Sequence, residues 1–180
     1  MQKSSTSAFK LLKEKSILRS RVFEVRHQQW RGPEDSRFER HTIYHPGAVA
    51  ILPFDARGNI LLIRQFRPAV NDWLLEIPAG TLERGEKPLF CAKRELIEET
   101  GFAAKKWKKL GAVYAAPGFC NELIHLFKAW DLKADFAEQD EDEHIELARM
   151  NVATVRKALK SGKIRDGKTM SALLCAGVLS

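Results

Sequence analysis

The alternation of apolar and polar residues near the start of the chain predicts β-strands. Residues 18–30 and 36–44 carry β-branched and aromatic side chains in partial alternation, and the turn-rich segment 31–35 separates them. We therefore predict a small N-terminal antiparallel sheet. A two- or three-stranded sheet of this size cannot bury enough apolar surface alone, so we expect it to pack on something else.

Apolar runs in the middle of the chain predict strands buried in a core. Residues 47–54 and 60–66 are almost entirely apolar, and the polar turn 55–59 joins them, so we predict a buried hairpin. Three further segments have the composition of strands: Trp73–Ile77, a stretch near 110–115, and 122–132.

Helical spacing of apolar residues predicts three helices. Proline favours the first helical turn and glycine the C-terminal stop, so Pro88 and Gly101 predict a helix over about residues 87–100. Its buried face would carry Leu89, Ala92 and Leu96. Residues 151–162, with Asn151 as N-cap, and 168–178 predict the other two helices. Helices that alternate with strands indicate an α/β layered domain.

Composition is that of a globular protein with reduced thiols. Apolar residues make up 44% and charged residues 29% of the 180. The sequence contains no run of eighteen apolar residues, so we predict no membrane span. The N-terminus lacks the apolar core of a signal peptide. The three cysteines are odd in number and lack C-x-x-C spacing, so we expect mostly buried free thiols in a cytoplasmic protein.

The net charge of +7 does not by itself select a partner. Basic residues concentrate in the first forty-five positions and in the run 105–109. No interleaved aromatic RNA-binding signature or recognition helix accompanies them, so we do not expect nucleic acid as a partner. A positive field would equally attract an anionic pyrophosphate compound.

Three glutamates in the first predicted helix suggest a metal site. Glu95, Glu98 and Glu99 stand at i, i+3 and i+4, so their carboxylates cluster over one turn. Mg²⁺ prefers such oxygen ligands and would offset their repulsion. Arg94, four residues before Glu98, can hold one carboxylate in place. In isolation the same spacing is also that of a solvated acidic helix face.

The surrounding pattern is more specific. From Gly80 to Phe102 the chain follows G-x5-E-x7-R-E-U-x-E-E-x-G-U, where U is a bulky apolar residue. This resembles the Nudix box, the signature of Mg²⁺-dependent hydrolases of nucleoside diphosphates linked to another moiety. Phe102 is bulkier than the usual aliphatic residue at its position. The resemblance implies the Nudix fold, an α/β/α sandwich. It also implies Mg²⁺ as the cofactor, for which Mn²⁺ can substitute.

The flanking residues resemble one subgroup, the ADP-ribose pyrophosphatases and nucleoside-diphosphate-sugar hydrolases. Pro117 stands sixteen residues beyond Gly101, although Ala116 replaces the serine common before it. Residues 45–50, 64–68 and 76–80 also resemble the subgroup. Alternatives remain: a type II turn at Pro117, a pyrophosphatase of nucleoside triphosphates or dinucleoside polyphosphates, or a non-catalytic Nudix domain that senses ADP-ribose or binds RNA.

The resemblance implies a role for particular residues. The metal ligands would be Ala79 through its carbonyl, Glu95, Glu99 and Glu143. The catalytic group would comprise Glu141, Glu98 and Arg94, and the substrate would contact Arg67, Arg40, Glu122 and Leu82. Glu141 is the expected base, but the acidic run 138–144 allows other registers, and it could instead be a solvated turn.

The resemblance also implies two domains and a homodimer. Residues 1–44 would form an N-terminal β-sheet swapped between subunits, and residues 45–180 the Nudix hydrolase domain. Arg40 would then reach the substrate of the partner subunit. Trp30 and Tyr44 could stack on a base or could belong to the core or interface.

Overall fold

Ten strands and three helices form the part of the chain that the computed structural model describes, residues 8–135 and 145–179. These residues divide into two units. The first comprises residues 8–46 with Tyr114–Glu122, and the second comprises Gly47–Val113 with residues 123–135 and 145–179.

The first unit contains the predicted antiparallel sheet. Its strands are paired in the order β1-β2-β3, with β1 at Lys10–Arg19, β2 at Glu24–Arg31 and β3 at Arg37–Tyr44. Residues 18–30, one of the two segments with strand-like alternation, do not form one continuous strand. Ser20 breaks it, because its hydroxyl accepts hydrogen bonds from the backbone N–H groups of Val22 and Phe23 and so closes a turn.

Polar side chains connect the three strands of the first unit. Glu14 accepts hydrogen bonds from Arg26 at 2.6 Å, Gln28 at 2.7 Å and the Tyr44 hydroxyl at 3.0 Å. Several large apolar residues of β1 are instead exposed: Leu11, Leu12, Ile17 and Leu18. Little of the apolar surface of β1 is therefore buried within this unit.

Two sheets form the framework of the second unit. Strand β4 (Ala48–Pro53) pairs antiparallel with β7 (Ala79–Thr81) and parallel with β9 (Leu123–Ala134), and β8 (Phe102–Tyr114) lies beside β9. Strand β5 (Ile60–Arg67) lies between β6 (Asp72–Glu76) and β10 (Ile145–Met150), antiparallel to both. Strands β7 and β10 were not predicted, and β8 begins earlier than expected.

The prediction of a hairpin over residues 47–66 is wrong. Strands β4 and β5 follow each other, but they belong to different sheets and share only an isolated bridge between Phe54 and Ile60. The reason is that β7 and β9 occupy both edges of β4, and all six residues of β4 are buried. The turn itself is present, since Asp55 accepts hydrogen bonds from the N–H groups of Arg57 and Asn59.

Helices cover both faces of the β4 sheet, as the predicted sandwich requires. They are α1 (Pro88–Thr100), α2 (Val152–Lys160) and α3 (Gly167–Cys175). Val49 and Ile51 pack in one core with α1 residues, whereas Ala50 and Leu52 share the opposite core with residues of α2 and α3. Asn151 is the predicted N-cap of α2, because its side chain accepts the Thr154 N–H at 2.8 Å.

Two composition-based expectations can be compared with the structure. Within residues 8–135 and 145–179, no helix is long and apolar enough to cross a membrane. All three cysteines are free thiols. Cys91 is buried, but Cys175 is exposed, so the expectation of mostly buried thiols is wrong for this residue.

Candidate active site

Helix α1 presents the box glutamates, and its ends are set by local sequence. Pro88 occupies the first turn, where its missing N–H needs no helical partner. Gly101 ends the helix in the left-handed region at φ 72°, and its N–H donates to the Ile97 carbonyl at 2.8 Å. The predicted helix is confirmed to within one residue at its start. Ala92 and Leu96 are buried as predicted, but Leu89 is exposed, so the predicted buried face is wrong at this residue.

Arg94 is the centre of the charged cluster on this helix. Its Nη1 donates to Glu95 at 2.7 Å and to Glu98 at 2.9 Å. Its Nε and Nη2 form a fork on the two oxygens of Glu86, at 3.2 and 3.1 Å. The Thr81 carbonyl also accepts from Nη2 at 3.4 Å. The sequence predicted the contact with Glu98, and the structure adds the other two carboxylates.

The charges in this cluster stabilise one another. Burial alone would lower the pKa of Arg94, but the hydrogen bonds to Glu86 and the charge of Glu95 outweigh burial and raise it. The hydrogen bond from Arg94 is the main reason that the pKa of Glu86 is lowered. Both groups therefore keep their charge at neutral pH, and one guanidinium offsets the repulsion among three carboxylates.

Glu95 lies directly against the backbone of β7. A Cβ atom added to Gly80 would stand 1.8 Å from the Glu95 carboxyl carbon and 1.9 Å from its Oε1. No side chain can occupy that position while the carboxylate stays in place. Glycine is required here for close approach, since the carboxylate occupies the space of its missing side chain.

Glu99 contacts β7 at Ala79, the residue before Gly80. It is only 3% exposed, and its Oε2 accepts the Ala79 backbone N–H at 2.8 Å. Helix α1 thus aims two carboxylates, four residues apart, at adjacent residues of β7. This arrangement follows from helical periodicity, because residues i and i+4 lie on one face.

The donor set of these residues suits a hard divalent cation. Glu95, Glu99 and the Ala79 carbonyl, the predicted ligands that the structure describes, all offer oxygen, which Mg²⁺ prefers. Among residues 8–135 and 145–179, no three His, Cys, Asp or Glu side chains form a group at metal-binding distances. Arg94 holds Glu95 and Glu98, and the Ala79 N–H holds Glu99. Each of the three helix carboxylates is therefore held by a neighbouring donor.

Arg67, predicted to contact phosphate, is the last residue of β5. Its Nε and Nη2 donate to the two oxygens of Glu76 at 2.9 and 2.7 Å. The hydrogen bond to Glu76 is the main reason that the pKa of Arg67 is raised, and the charge of Glu99 adds to the shift. Sequence reasoning missed Glu76, although a carboxylate inside the apolar run Trp73–Ile77 is a usable signal.

The other predicted substrate residues are divided between the two units. Leu82 lies in the second unit, where its N–H donates to the Gly47 carbonyl at 3.0 Å. Arg40 and Glu122 belong to the first unit. The Arg40 guanidinium lies over the Phe38 ring at 4.8 Å and donates to the Glu39 carbonyl. The proposed roles of all three stay predictions.

The aromatic residues considered for base stacking, Tyr44 and Trp30, both have polar contacts within the first unit. The Arg26 guanidinium covers the Tyr44 ring at 4.0 Å, and the Tyr44 hydroxyl accepts from Gln28 at 2.7 Å. Trp30 donates its indole N–H to the same Gln28 at 3.2 Å. Arg26 thus covers one face of the Tyr44 ring, whereas the contact of Trp30 involves only its N–H, so a stacking role for Trp30 stays a prediction.

The Pro117–Gly118 pair forms a turn, but not of type II. The Ala116 carbonyl accepts from the Phe119 N–H at 3.1 Å and from the Cys120 N–H at 2.9 Å. A type II turn needs a positive φ at its third residue, and Gly118 does not have one. The two hydrogen bonds on one carbonyl are those of a single helical turn.

The predicted base Glu141 and the predicted metal ligand Glu143 lie outside the described residues. The acidic run 138–144 that contains them precedes β10, whose first residue, Ile145, pairs with Gln65 of β5.

The chain is similar to several known proteins over most of its length. The NUDIX domain model matches residues 44–173. An ADP-ribose pyrophosphatase of Bacillus subtilis (strain 168) is 37% identical over 171 residues, which cover 91% of this chain and 92% of that protein. A GDP-mannose pyrophosphatase of Salmonella paratyphi B is 36% identical over 133 residues, 69% of each chain. The crystal structure of an ADP compounds hydrolase has a TM-score of 0.84 at 25% identity and covers 94% of this chain and 92% of its own.

Proposed function

Because the chain belongs to the Nudix hydrolase family, we propose that it hydrolyses the pyrophosphate bond of ADP-ribose or a related nucleoside-diphosphate sugar. The products are a nucleoside monophosphate and a sugar phosphate, and the reaction takes place in the cytoplasm. The main support is the placement of Glu95 and Glu99 against adjacent residues of β7. The substrate class is supported by relatives named for ADP-ribose and GDP-mannose.

In this proposal the metal ligands are Glu95, Glu99 and the Ala79 carbonyl, with Glu143 as a further ligand. Bound Mg²⁺ or Mn²⁺ neutralises phosphate charge and lowers the pKa of a bound water. Arg94 keeps the box carboxylates in place, because it binds Glu86, Glu95 and Glu98 at once. The planar guanidinium suits this task, since it can direct several N–H groups to different carboxylates.

The remaining steps fall to side chains that act on substrate or water. Arg67 contacts the pyrophosphate with the guanidinium donors that its contact with Glu76 leaves available. Glu141 accepts the proton of the attacking water, for which it must come within hydrogen-bond reach. Glu98, held by Arg94 at 2.9 Å, acts through local charge beside the metal ligands.

We also propose a homodimer formed through the N-terminal sheet. The support is the row of exposed apolar residues on β1, which a second copy of the chain would cover. In this arrangement Arg40 and Glu122 contribute to substrate binding, with Arg40 reaching the site of the partner subunit.

A substrate panel tests the activity. Purified protein with Mg²⁺ should convert ADP-ribose to AMP and ribose 5-phosphate, and the panel includes GDP-mannose, ADP-glucose, UDP-glucose, ATP and a diadenosine polyphosphate. Faster release of pyrophosphate from ATP than of monophosphate from any diphosphate sugar would assign the chain to the triphosphate class instead.

Glu99→Gln tests the metal site. The change keeps the size of the side chain but removes a charged ligand, so turnover should fall by about 10²-fold or more while the protein stays folded. Glu146→Gln is the matched control, because Glu146 forms an exposed ion pair with Arg64 and has no proposed role. Equal activity of the two variants removes Glu99 from the metal site.

A further inference from the structure

The carboxylate of Glu76 joins Arg67 to helix α3. Glu76 is 1% exposed, and its two oxygens accept from Nε and Nη2 of Arg67 at 2.9 and 2.7 Å. The ammonium group of Lys168, in the first turn of α3, donates to the same Oε2. One buried carboxylate therefore binds two cations that lie on different elements.

The contacts around Lys168 fix its position. Its ammonium group also donates to Asp166 at 3.0 Å. Asp166 is the N-cap of α3 and accepts the Thr169 N–H at 2.9 Å. The buried Thr169 hydroxyl in turn accepts the N–H of Ile77 at 2.9 Å. The start of α3 is thus bound to β6 and to the residue that follows it.

A gain in folding stability alone does not explain why Glu76 is buried with Arg67 and Lys168. Buried ion pairs are often no more stabilising than apolar residues of similar volume. Burial by itself raises the pKa of Glu76, but Arg67 and Lys168 outweigh burial, so the pKa is lowered and the carboxylate stays charged. The sequence could have filled this core position of β6 with an apolar residue, like the neighbouring Leu75 and Ile77.

The geometry leaves one side of Arg67 available. Glu76 takes the side of the guanidinium formed by Nε and Nη2, and the opposite edge carries Nη1. The Arg67 side chain is 36% exposed, whereas those of Glu76 and Lys168 are 1% and 13% exposed. The buried partners therefore hold one edge of the guanidinium while part of Arg67 remains accessible.

We propose that Glu76 and Lys168 are positioning residues that hold Arg67 with its Nη1 edge toward the pyrophosphate of the substrate. The ammonium group of Lys168 neutralises part of the negative charge of Glu76. The carboxylate therefore weakens the attraction of Arg67 for phosphate less than it would alone. This inference rests on the proposed function of Arg67 as a phosphate contact. If it holds, Lys168 of α3, close to the C-terminal end of the sequence, affects substrate affinity through the carboxylate of Glu76.

A double-mutant cycle tests the role of Glu76. Arg67→Ala should lower kcat/KM for the best diphosphate sugar of the panel, and Glu76→Gln should lower it by about 10-fold, mainly through KM. In the Arg67→Ala background, Glu76→Gln should have an effect of no more than about 2-fold, because no guanidinium remains to be positioned. A purely structural role would instead lower the melting temperature and leave KM unchanged in the folded protein.

The outcomes separate the inference from the proposed function. If Arg67→Ala leaves kcat/KM unchanged, the phosphate-contact role of Arg67 fails. If Arg67→Ala is impaired but Glu76→Gln is normal, or is equally harmful in both backgrounds, the positioning role is refuted. Asp72→Asn is the matched control, because Asp72 lies on the same strand as Glu76 and the change breaks a surface ion pair with Arg165. It should leave kcat/KM within about 2-fold.

Lys168→Met decides the question if Glu76→Gln does not fold. Methionine fills a similar volume without the charge, so Glu76 would bind Arg67 alone and repel phosphate more strongly. KM should rise by about 3-fold or more, with kcat within about 2-fold of the original. A folded Lys168→Met protein with unchanged KM overturns the proposal for Lys168.

Discussion

Replacing Gly80 by alanine should displace a single functional carboxylate from β7. The new Cβ would stand 1.8 Å from the Glu95 carboxyl carbon, whereas carbon atoms in contact are normally about 3.5–4.0 Å apart. The carboxylate must therefore move by about 1.7 Å or more. It can do so, because the obstacle is the end of a flexible side chain and not backbone.

The cost to stability should be small. Glu95 would lose its 2.7 Å contact with Arg94, but Arg94 would keep its contacts with Glu86 and Glu98. Losing one partly exposed contact of this kind costs about 1 kcal/mol. The catalytic cost should be far larger, since a displacement of about 1 Å in a positioned group can lower the rate by about 10²-fold.

The assay measures kcat and melting temperature over a range of Mg²⁺ concentrations. We expect Gly80→Ala to melt within a few degrees of the original protein, with kcat lower by about 10²-fold and half-saturation at higher Mg²⁺. Gly167→Ala is the control glycine, because nothing lies within 4 Å of its added Cβ and its φ is not positive. Normal kcat and Mg²⁺ dependence in Gly80→Ala would refute the view that Glu95 must lie against β7 to act.

Three further predictions concern the base, the dimer and a buried thiol. Glu141→Gln should lower kcat with little change in Mg²⁺ dependence, whereas Glu98→Gln should change both kcat and Mg²⁺ dependence. If Glu141→Gln turns over as fast as the original protein, another residue is the base. Deleting residues 1–44 should give monomers or aggregates with a raised KM, measured by light scattering and kinetics, and a fully active monomer contradicts the proposed dimer. Burial raises the pKa of the Cys91 thiol to about 12, so at pH 8 Cys91 should resist iodoacetamide in the native protein while exposed Cys175 reacts, as peptide mass spectrometry would show.

Local signals made helix α1 predictable. Pro88 and Gly101 act on the backbone at their own positions, so the ends of the helix follow from short stretches of sequence. The contact between Arg94 and Glu98 was predictable for the same reason, since it depends only on helical spacing. The Asn151 cap is a third example.

Contacts between distant residues could not be predicted. The separation of β4 from β5 depends on β7 and β9, because these two strands occupy both edges of β4 at which a hairpin partner could pair. The pairing of Glu76 with Lys168 joins residues 92 positions apart, and no local pattern encodes it. Glycine at position 80 was part of a motif, but its reason, the Glu95 carboxylate, is visible only in the packed structure.

The parallel pairing of β4 with β9 has a consequence for synthesis of the protein on the ribosome. Ala48 pairs with Ile124 and Pro53 with Ala129, so the central strand cannot acquire this neighbour until most of the chain has been made. Until then, the apolar residues of β4 and the inner face of α1 lack their complete core, and α1 alone is too short to be stable in water. Closing so long a loop makes folding slow and leaves nascent chains open to aggregation. Expression at reduced temperature or with chaperones should therefore raise the soluble yield.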